Sequence, residues 1–498
     1  MAQAVGADGA SAQEVRGRAP VLGFRRQKPK DSAQSQRGPS CILFLLLLLL
    51  SFENTASAEV RGDWVVSQIN QRNANVPPPL RAEKYGTMSE SIFAFFRATN
   101  HLYWSDYGSS PLLATFGGPT TRVWLQGDAH CDNISALLTN QNAVVFDLDD
   151  FDDTLIADYQ LDLWRMAVSI LLAVQENGGL PQKTQEQLID ALSTSYLNTL
   201  RSYQDNASEL ITTYSVANTP SFLSDWMAQL SELTHLRVLK KMTTVASGKR
   251  MFDFDKPGVQ SVAPSVIQAL QAAMPTYQAT LTGRLRQIPS YFRIKDVAQK
   301  TRGGMGSLGV TRYFVLIEGV SASQDDDRIL DIKAQSQPAG WPYMDPGVRD
   351  QLLTMISGDQ AMRVVLGYRA MGYRADEHLG TLSALGERFF VRERTPVRNS
   401  FELTNLVNPQ RSLPLVQQWG AVLATSHARA DRDSSPIISY DFEKELLTKV
   451  ATEKQRLAFL ARVRQVAFFY AKQVSDDYKA FKEWHAQNAA RTQVAGKE

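Results

Sequence analysis

The spacing of apolar residues changes along the chain, and each spacing predicts a different kind of element. Apolar side chains at four-residue intervals between positions 188 and 200 predict one helix of a mainly helical region at 159–251. Short apolar runs bounded by turn residues predict strands at 122–125, 143–146, 313–317, 329–333 and 388–392. Further helices are predicted at 89–98, 346–371, 415–430 and 442–485. The pattern therefore predicts an α+β protein.

The order of these elements predicts how the chain is divided. Residues 59–290 are expected to form a mostly helical lobe that also carries the first two strands. Residues 291–400 are expected to form a smaller, β-rich lobe, and residues 401–498 to add helices that pack on the large lobe. Two lobes are expected because 498 residues exceed what one small core needs.

The first 58 residues have a different composition, rich in Ala, Gly, Ser, Gln and Arg. They lead into an apolar run at 42–52 and end in Ala56-Ser57-Ala58, small residues of the kind that signal peptidase cleaves after. The run is shorter than the roughly 20 residues that span a bilayer. We therefore predict a signal peptide and an exported, periplasmic protein that starts at Glu59. An N-terminal anchor, the only membrane contact expected, is the alternative.

Net charge bears on the class of partner, and cysteine content bears on disulfide formation. Removal of the first 58 residues changes the formal net charge from +2 to about −1, so no nucleic-acid partner is expected. Of the two cysteines, Cys41 precedes the predicted cleavage point and Cys131 follows it. The processed chain would then have no intramolecular disulfide. We interpret Cys131 as a small buried residue.

Two acidic motifs follow predicted strands. Gly127-Asp128-Ala129-His130-Cys131-Asp132-Asn133 follows the first strand, and a run of carboxylates at 147–153 follows the second. Phosphoryl transfer needs a carboxylate beside the acceptor hydroxyl and oxygen ligands for Mg²⁺. We predict catalytic roles for Asp128 and His130. The predicted metal ligands are Asn133, Asp147 and Asp149. Alternatively, the acidic residues form solvated turns and His130 is a packing residue.

A glycine-rich segment is the second candidate site. Backbone N–H groups there can approach phosphate closely, and Lys333 on the following strand can neutralise its charge. The predicted cofactor-binding residues are Gly303, Gly304, Gly306, Ser307, Gly309 and Lys333. The alternative is a tight hairpin with a surface lysine. The segment does not match a Walker A loop or the Gly-x-Ser-x-Gly elbow, so we exclude a serine hydrolase.

In these motifs the sequence resembles a bacterial family called domain of unknown function 2252. The resemblance runs from residue 88 to residue 433. It rests on the Gly-Asp-x-His-x-x-Asn and Phe-Asp-x-x-Asp-Phe-Asp motifs, Leu161-Asp162-Leu163-Trp164-Arg165, the Gly-x-Gly-Ser-x-Gly loop and His427-Ala428-Arg429. The first two motifs are also similar to those of aminoglycoside phosphotransferases and other kinase-like enzymes. The resemblance therefore implies a protein-kinase-like, two-lobed fold.

The same resemblance implies a role for each motif residue. Asp128 would be the catalytic base, Asn133 and Asp147 or Asp149 the metal ligands, and Asp162 a brace for the catalytic loop. The glycine-rich loop would cover the phosphates and Lys333 would contact the α- and β-phosphates. The cofactors implied are ATP and Mg²⁺ or Mn²⁺.

Two departures from the kinase pattern are visible in the sequence. The glycine-rich loop and the lysine follow the catalytic motifs, so a circularly permuted lobe order is required. The predicted helix at 346–371 also has no Glu to pair with Lys333. Asp359 is the nearest substitute, and Arg363 or Arg369 is expected to face phosphate instead.

These features predict a metal-dependent, ATP-utilising, kinase-like phosphotransferase that acts on a small molecule or another acceptor. The first alternative is a metal-dependent phosphoester hydrolase or nucleotidyl transferase. The second is a non-catalytic, exported pseudokinase that binds a nucleotide or an envelope ligand. Export favours the alternatives, since ATP is scarce outside the cytoplasm.

Overall fold

A computed structural model describes residues 58–288, 290–301 and 308–495. The predicted targeting segment, except Ala58, lies outside these ranges, as do Gly303, Gly304, Gly306 and Ser307 of the glycine-rich loop. Helices contain 54% of the residues and strands 15%, which confirms the predicted α+β class. Among the described helices, none combines the length and the apolar character needed to cross a membrane.

The apolar segments fold into helices that enclose the largest core. The central helix, α5, is buried from Gln160 to Val174, as expected for a helix that is apolar on nearly every side. The described helices are α1 (Ala58–Arg72), α2 (Pro78–Glu90), α3 (Ile92–Ala98), α4 (Asn100–Tyr107), α5 (Gln160–Glu176), α6 (Gln182–Tyr203), α7 (Ser221–Ser231), α8 (His235–Met242), α9 (Pro264–Thr280), α10 (Pro346–Met355), α11 (Gln360–Met371), α12 (Ser412–Arg429), α13 (Phe442–Lys449) and α14 (Glu453–Ala495).

Several predicted helices are interrupted because polar side chains cap a new helix within the predicted segment. The helix predicted at 89–98 is divided at Ser91, whose hydroxyl accepts a bond from the backbone N–H of Ala94. The helix predicted at 346–371 is divided before Asp359, which caps α11. The helix predicted at 442–485 is likewise two helices, α13 and α14. The prediction of single helices was wrong because apolar periodicity continues across a cap.

Within the described residues, strands form one large antiparallel sheet and three small ones. The large sheet has the order β11-β12-β10-β9-β8-β7, β13-β2-β3 form a second sheet, and β1-β4 and β5-β6 form pairs. The strands are β1 (Arg122–Leu125), β2 (Ile134–Leu138), β3 (Val144–Leu148), β4 (Leu155–Asp158), β5 (Thr243–Ala246), β6 (Lys249–Phe252), β7 (Val259–Ser261), β8 (Ile294–Lys300), β9 (Arg312–Ile317), β10 (Arg328–Ala334), β11 (Gly380–Ala384), β12 (Glu387–Glu393) and β13 (Arg398–Ser400). All five predicted strands are confirmed.

The large sheet belongs to one continuous stretch of chain, from α8 to β12, that interrupts the helical part. We call this stretch the insertion. The helical run predicted to residue 251 ends at α8, and β5 and β6 follow. Strand β7 and helix α9, which packs on β11, also precede residue 291, where sequence patterning placed the start of the β-rich region. After β12 the chain returns to the helical part, because β13 pairs with β2. His235 at the start of α8 lies 2.8 Å from Glu393 at the end of β12, so both ends of the insertion meet.

Candidate active site

Gln126 joins the two acidic motifs. Its side-chain oxygen accepts a 2.8 Å bond from the backbone N–H of Asp128, while its Nε2 donates to the backbone oxygens of Asp149 and Asp150. The backbone N–H of Asp149 also donates to the backbone oxygen of Asn133, at 2.8 Å. The loop after β1 and the loop after β3 are therefore one hydrogen-bonded unit. Sequence reasoning missed Gln126, since nothing in the motif distinguishes it from an ordinary strand-end residue.

Gly127 allows the two loops to approach closely. Its φ of +83° is one that side chains disfavour, and a Cβ atom there would lie 2.0 Å from the backbone oxygen of Asp153. The glycine of the first motif is therefore needed for loop packing, a role that does not depend on any ligand.

Asp162 supports the first loop from α5. Its carboxylate accepts bonds from the backbone N–H groups of Gln126, at 2.7 Å, and Gly127, at 3.0 Å. His427 of α12 lies 3.4 Å from the same carboxylate and contacts the hydroxyl of Tyr196 at 2.8 Å through its other ring nitrogen. Asp162 and His427 are thus buried supports for the loop.

Asp128 is held by a buried arginine. Arg165 Nε donates to Asp128 Oδ1 at 2.6 Å, and the guanidinium lies over the ring of Phe96, 4.1 Å from its centre. The Asp128 side chain is 17% exposed, so one edge reaches solvent. Burial raises the pKa of Asp128 to about 7, with Arg165 opposing the shift. A carboxylate with this pKa is suited to accept a proton near neutral pH.

His130 and Cys131 are buried beside Asp128. His130 Nε2 lies 3.7 Å from Asp128 Oδ2, which is beyond hydrogen-bond distance, and its Nδ1 has no hydrogen-bond partner in the described part of the chain. Burial lowers the pKa of His130 well below its ordinary value, so the ring is neutral. Cys131 Sγ lies 3.0 Å from Ser169 Oγ, and burial raises its thiol pKa. The geometry favours packing roles for both.

The three predicted metal ligands do not share one cavity. Asp147 lies within β3, where Arg429 Nη1 is 3.2 Å from its carboxylate and the Ser426 hydroxyl donates to it at 3.3 Å. Asn133 donates its amide N–H to the backbone oxygen of Asp128 at 3.1 Å, which leaves the side-chain oxygen as a possible ligand. Asp149 lines a cavity between the acidic run and the large sheet, but it accepts a 2.5 Å bond from Arg398 Nε.

Asp150 is the acidic residue that sequence reasoning overlooked. It lines the same cavity and has a φ of +62°, an unfavourable value for a residue other than glycine and one found often at functional sites. Burial alone would raise its pKa, but Lys333 and Arg398 outweigh that effect, and the pKa lies well below its ordinary value. The dipeptide Asp150-Phe151 recurs as Asp253-Phe254 and Asp441-Phe442, so no local sequence signal distinguishes Asp150.

Basic side chains from the large sheet dominate the cavity, which has a volume of about 230 Å³. We call it the basic cavity. Its carboxylates are Asp149, Asp150, Asp152 and Asp331. Its cations are Lys300, Arg312, Lys333, Arg392, Arg394 and Arg398. Lys300 and Arg394 form no salt bridge with any described carboxylate, and burial together with Arg312 lowers the pKa of Lys300 to about 8. The excess of cations favours an anionic ligand.

Lys333 pairs with the acidic run itself. Its ammonium contacts Asp152 Oδ2, and Gln335 donates to the other oxygen of that carboxylate at 2.7 Å. From the sequence, Asp359 was expected to replace the missing glutamate partner of Lys333, and Arg363 or Arg369 to face phosphate. These expectations were wrong. Asp359 caps α11, and Arg369 donates to the backbone oxygen of Leu379 at 2.8 Å.

Arg363 does not face a ligand either. It is buried and donates to the backbone oxygens of Asp152, Thr154 and Ser336. It therefore holds the end of the acidic loop in place from α11.

Two further cavities adjoin the basic cavity. Gly309, with a φ of +87°, lines one of about 340 Å³ that shares Lys300 and Arg312 with it. The other, about 480 Å³, shares Lys300, Arg394 and Arg398. We call this second one the side cavity. Apolar side chains from both ends of the insertion and from the sheet line part of it: Leu233, Val238, Met242, Val259, Phe314 and Pro396. Six cations line it as well: Arg237, Lys241, Lys256, Lys300, Arg394 and Arg398.

Comparison with known families identifies the chain. Residues 77–484 match the model of a family described as uncharacterized protein conserved in bacteria, DUF2252. The chain belongs to this family. No curated protein and no solved structure matches it. The DUF2252 match contains both acidic loops, the insertion with its large sheet, and every residue that lines the basic cavity. The cavity is therefore part of the region that matches the DUF2252 model.

Proposed function

We propose that this DUF2252 protein is a kinase-like phosphotransferase that binds a nucleoside triphosphate in the basic cavity. The observation that carries the proposal is the meeting of Asp150, in its left-handed conformation, with Lys333 and an excess of cations on one cavity wall. Transferring phosphoryl groups carry several negative charges, and enzymes stabilise them mainly by positioned cations.

The arrangement of the insertion supports this proposal. In protein kinases a glycine-rich loop covers the phosphates, a nearby strand carries the phosphate-binding lysine, and a helix follows. Here β8 and β9 flank the glycine-rich segment, β10 carries Lys333, and α10 and α11 follow. The insertion also accounts for the late position of the lysine, because both of its ends meet beside the helical part.

We assign the roles as follows. Asp128 accepts the proton of the acceptor hydroxyl, and the basic cavity holds the phosphates. In the side cavity beside it, Val259 and Phe314 would contact the base of the nucleotide. Asn133 and Asp150 offer amide and carboxylate oxygens of the kind Mg²⁺ prefers, so they would hold that ion in place of Asp147. The ion would neutralise phosphate charge.

Binding is tested by titration calorimetry of the wild-type protein with ATP, ADP and AMP, with and without Mg²⁺. We expect ATP to bind more tightly than AMP, and Lys333→Ala to weaken ATP binding at least about tenfold. Lys249→Ala, which changes an exposed lysine of β6, serves as the control. If wild type does not bind ATP or ADP, the proposal fails.

Catalysis is tested separately by following transfer of the γ-phosphate of labelled ATP to water or to the protein. Asp128→Asn should reduce the rate by about 100-fold or more, as expected for loss of a general base. The matched control is Asp132→Asn in the same loop, since Asp132 pairs with Arg97 at 2.7 Å. Equal rates in Asp128→Asn and wild type would exclude this role for Asp128.

A non-catalytic nucleotide-binding protein is the second candidate. The observation that favours it is the Arg165 guanidinium, which already occupies one oxygen of Asp128. This candidate predicts ATP binding by wild type and by Asp128→Asn with equal affinity, and no phosphate transfer by either.

A further inference from the structure

Three carboxylates, Asp431, Asp441 and Glu443, meet at the turn between α12 and α13, and those of Asp433 and Glu209 lie beside them. We call these five residues the carboxylate cluster. Oxygens of Asp431, Asp441 and Glu443 lie within 4.8 Å of one another. The carboxylate of Glu209 faces those of Asp433 and Asp431, and the charge of Glu209 also acts on Glu443. None of the five lines the basic cavity or the two cavities beside it.

The charge of the carboxylate cluster is poorly balanced. Within the described ranges, Arg432 is the one cation at ion-pair distance, with Nη2 3.1 Å from Asp441 and Nε 3.9 Å from Asp433. Its side chain is 53% exposed, so solvent screens its charge. Five anions facing one exposed cation repel one another unless protons or a further cation intervene.

The start of α13 satisfies only part of the cluster. Asp431 accepts a 2.9 Å bond from the backbone N–H of Phe442, and Asp441 accepts one from that of Lys444, also at 2.9 Å. By contrast, both carboxylate oxygens of Glu209 and Oε2 of Glu443 are buried and accept no hydrogen bond within the described structure. These two side chains are 0% and 3% exposed. Buried carboxylate oxygens without donors are rare and require an explanation.

We propose that the carboxylate cluster binds a calcium ion. Calcium takes six to eight oxygen ligands in flexible geometry, and every side chain of the cluster offers carboxylate oxygen. Glu209 and Glu443 would supply the oxygens that lack donors, and Asp431, Asp433 and Asp441 would complete the site with water. The ion would also separate the adjacent carboxylates of Glu209 and Asp433. The site is independent of the proposed phosphotransferase activity.

The ion would connect three parts of the chain. Glu209 belongs to the short turn Ser208–Leu210, Asp431 and Asp433 to the segment after α12, and Asp441 and Glu443 to the start of α13. Arg429 donates to the backbone oxygen of Glu209 at 2.9 Å and lies 3.2 Å from Asp147. Calcium would therefore stabilise the position from which Arg429 holds Asp147.

Protons are the competing explanation. Burial and repulsion between neighbouring carboxylates raise the pKa of Glu443 to about 8, that of Glu209 to about 7 and that of Asp431 to about 6. A protonated cluster would need no ion. The experiment must therefore detect the ion itself.

Terbium luminescence provides this detection, because Tb³⁺ replaces Ca²⁺ and is sensitised by nearby indole rings. Trp124 Nε1 donates to Ser435 Oγ at 3.2 Å, within the same segment. After treatment with EGTA, wild-type protein at pH 7.5 should bind Tb³⁺ saturably, and Ca²⁺ should displace it at much lower concentration than Mg²⁺. No saturable binding, or displacement by Mg²⁺ as readily as by Ca²⁺, would overturn the proposal.

The variants are Glu443→Gln and its control, Glu445→Gln, on the same turn of α13. Glu445 lies outside the cluster and accepts a 2.8 Å bond from Thr120. We expect Glu443→Gln to weaken Tb³⁺ and Ca²⁺ binding at least about tenfold, since ligand charge sets calcium affinity, and Glu445→Gln to leave it unchanged. Thermal denaturation in EGTA checks folding, and Glu443→Gln should be at least as stable as wild type there. Equal ion binding by the two variants would contradict the assignment.

Discussion

The basic cavity and the carboxylate cluster both contain several carboxylates, but their surroundings are opposite. In the cavity, six cations accompany four carboxylates. In the cluster of five carboxylates, Arg432 is the single described cation at ion-pair distance, and it reaches two of them, Asp433 and Asp441. A concentration of aspartate therefore does not by itself indicate a metal. The cavity is suited to an anion and the cluster to a cation, and the difference lies in basic residues that are distant in sequence.

The largest loss of stability is expected at Arg429, which joins Glu209 of the carboxylate cluster to Asp147 of β3. Arg429 is buried, contacts Asp147 and donates to the backbone oxygens of Glu209 and Met371. Arg429→Ala should lower the free energy of unfolding by about 3–5 kcal/mol, because it leaves Asp147 buried without its partner. Urea denaturation measures this loss. Arg432→Ala, at an exposed arginine of the carboxylate cluster, is the control. A similar loss of stability in both variants would show that the loss does not come from the unpaired Asp147.

The next largest effect is the pH dependence of stability that the carboxylate cluster should cause in the absence of calcium. The folded-state pKa of Glu443, about 8, lies above its ordinary value, so its protonated form stabilises the fold below about pH 4.5, and this contribution is lost as pH rises through 8. Besides burial, the charges of Asp441, Asp431 and Glu209 contribute to this raised pKa, whereas a cation such as Arg432, which lies in the same cluster as Asp433, acts in the opposite direction.

In EGTA, wild type should lose about 2 kcal/mol or more of stability relative to Glu443→Gln between pH 5 and pH 8. Saturating Ca²⁺ should remove that loss. Parallel stability curves for the two proteins would contradict the raised pKa. Chemical denaturation at fixed pH values provides the measurement.

A smaller effect is expected from Gly127→Ala. The added Cβ would collide with the backbone oxygen of Asp153 at a φ that alanine disfavours, so stability should fall by about 2 kcal/mol. Gly178→Ala is a matched control, since Gly178 also has a positive φ but open space around it. Equal losses would mean that loop contact adds nothing to the cost of the backbone conformation.

The smallest expected effect is a change in ligand binding that should occur at the basic cavity and not at the carboxylate cluster. Arg398→Gln should weaken binding of inorganic pyrophosphate about tenfold, because Arg398 lines the basic cavity, and leave Tb³⁺ binding at the carboxylate cluster unchanged. Added salt should reduce the difference from wild type. Calorimetry measures the first ligand and luminescence the second. A change in both would show that the regions are coupled.

The sequence predicted the elements that depend on local patterns and missed those that depend on distant contacts. Apolar runs located five strands, and the acidic motifs were correctly expected at or next to strand ends. The assignment of Asp147 to a metal did not anticipate Arg429, which is 282 positions away. Lys333 was recognised, but its partner Asp152 was not, because 181 residues separate them.

Local sequence signals also failed where the same residue type is compatible with two structural roles. Ser91 was placed within a single periodic helix and Asp359 was considered as a partner for Lys333, whereas both side chains cap new helices. Asp150 was one of several similar carboxylates, and only its backbone conformation and position in the cavity distinguish it.

The pairing of α1 with α14 has a consequence for biosynthesis. Arg61 of α1 binds Asp477 of α14 at 2.8 Å, and Val65 and Ile69 are buried in the core that α14 completes. At a translation rate of about 5–20 residues per second, α1 waits roughly 20–80 s for this partner. Its apolar face is accessible to chaperones and proteases during that interval. A ribosome that stops before residue 453 would release a chain whose first helix never finds its core.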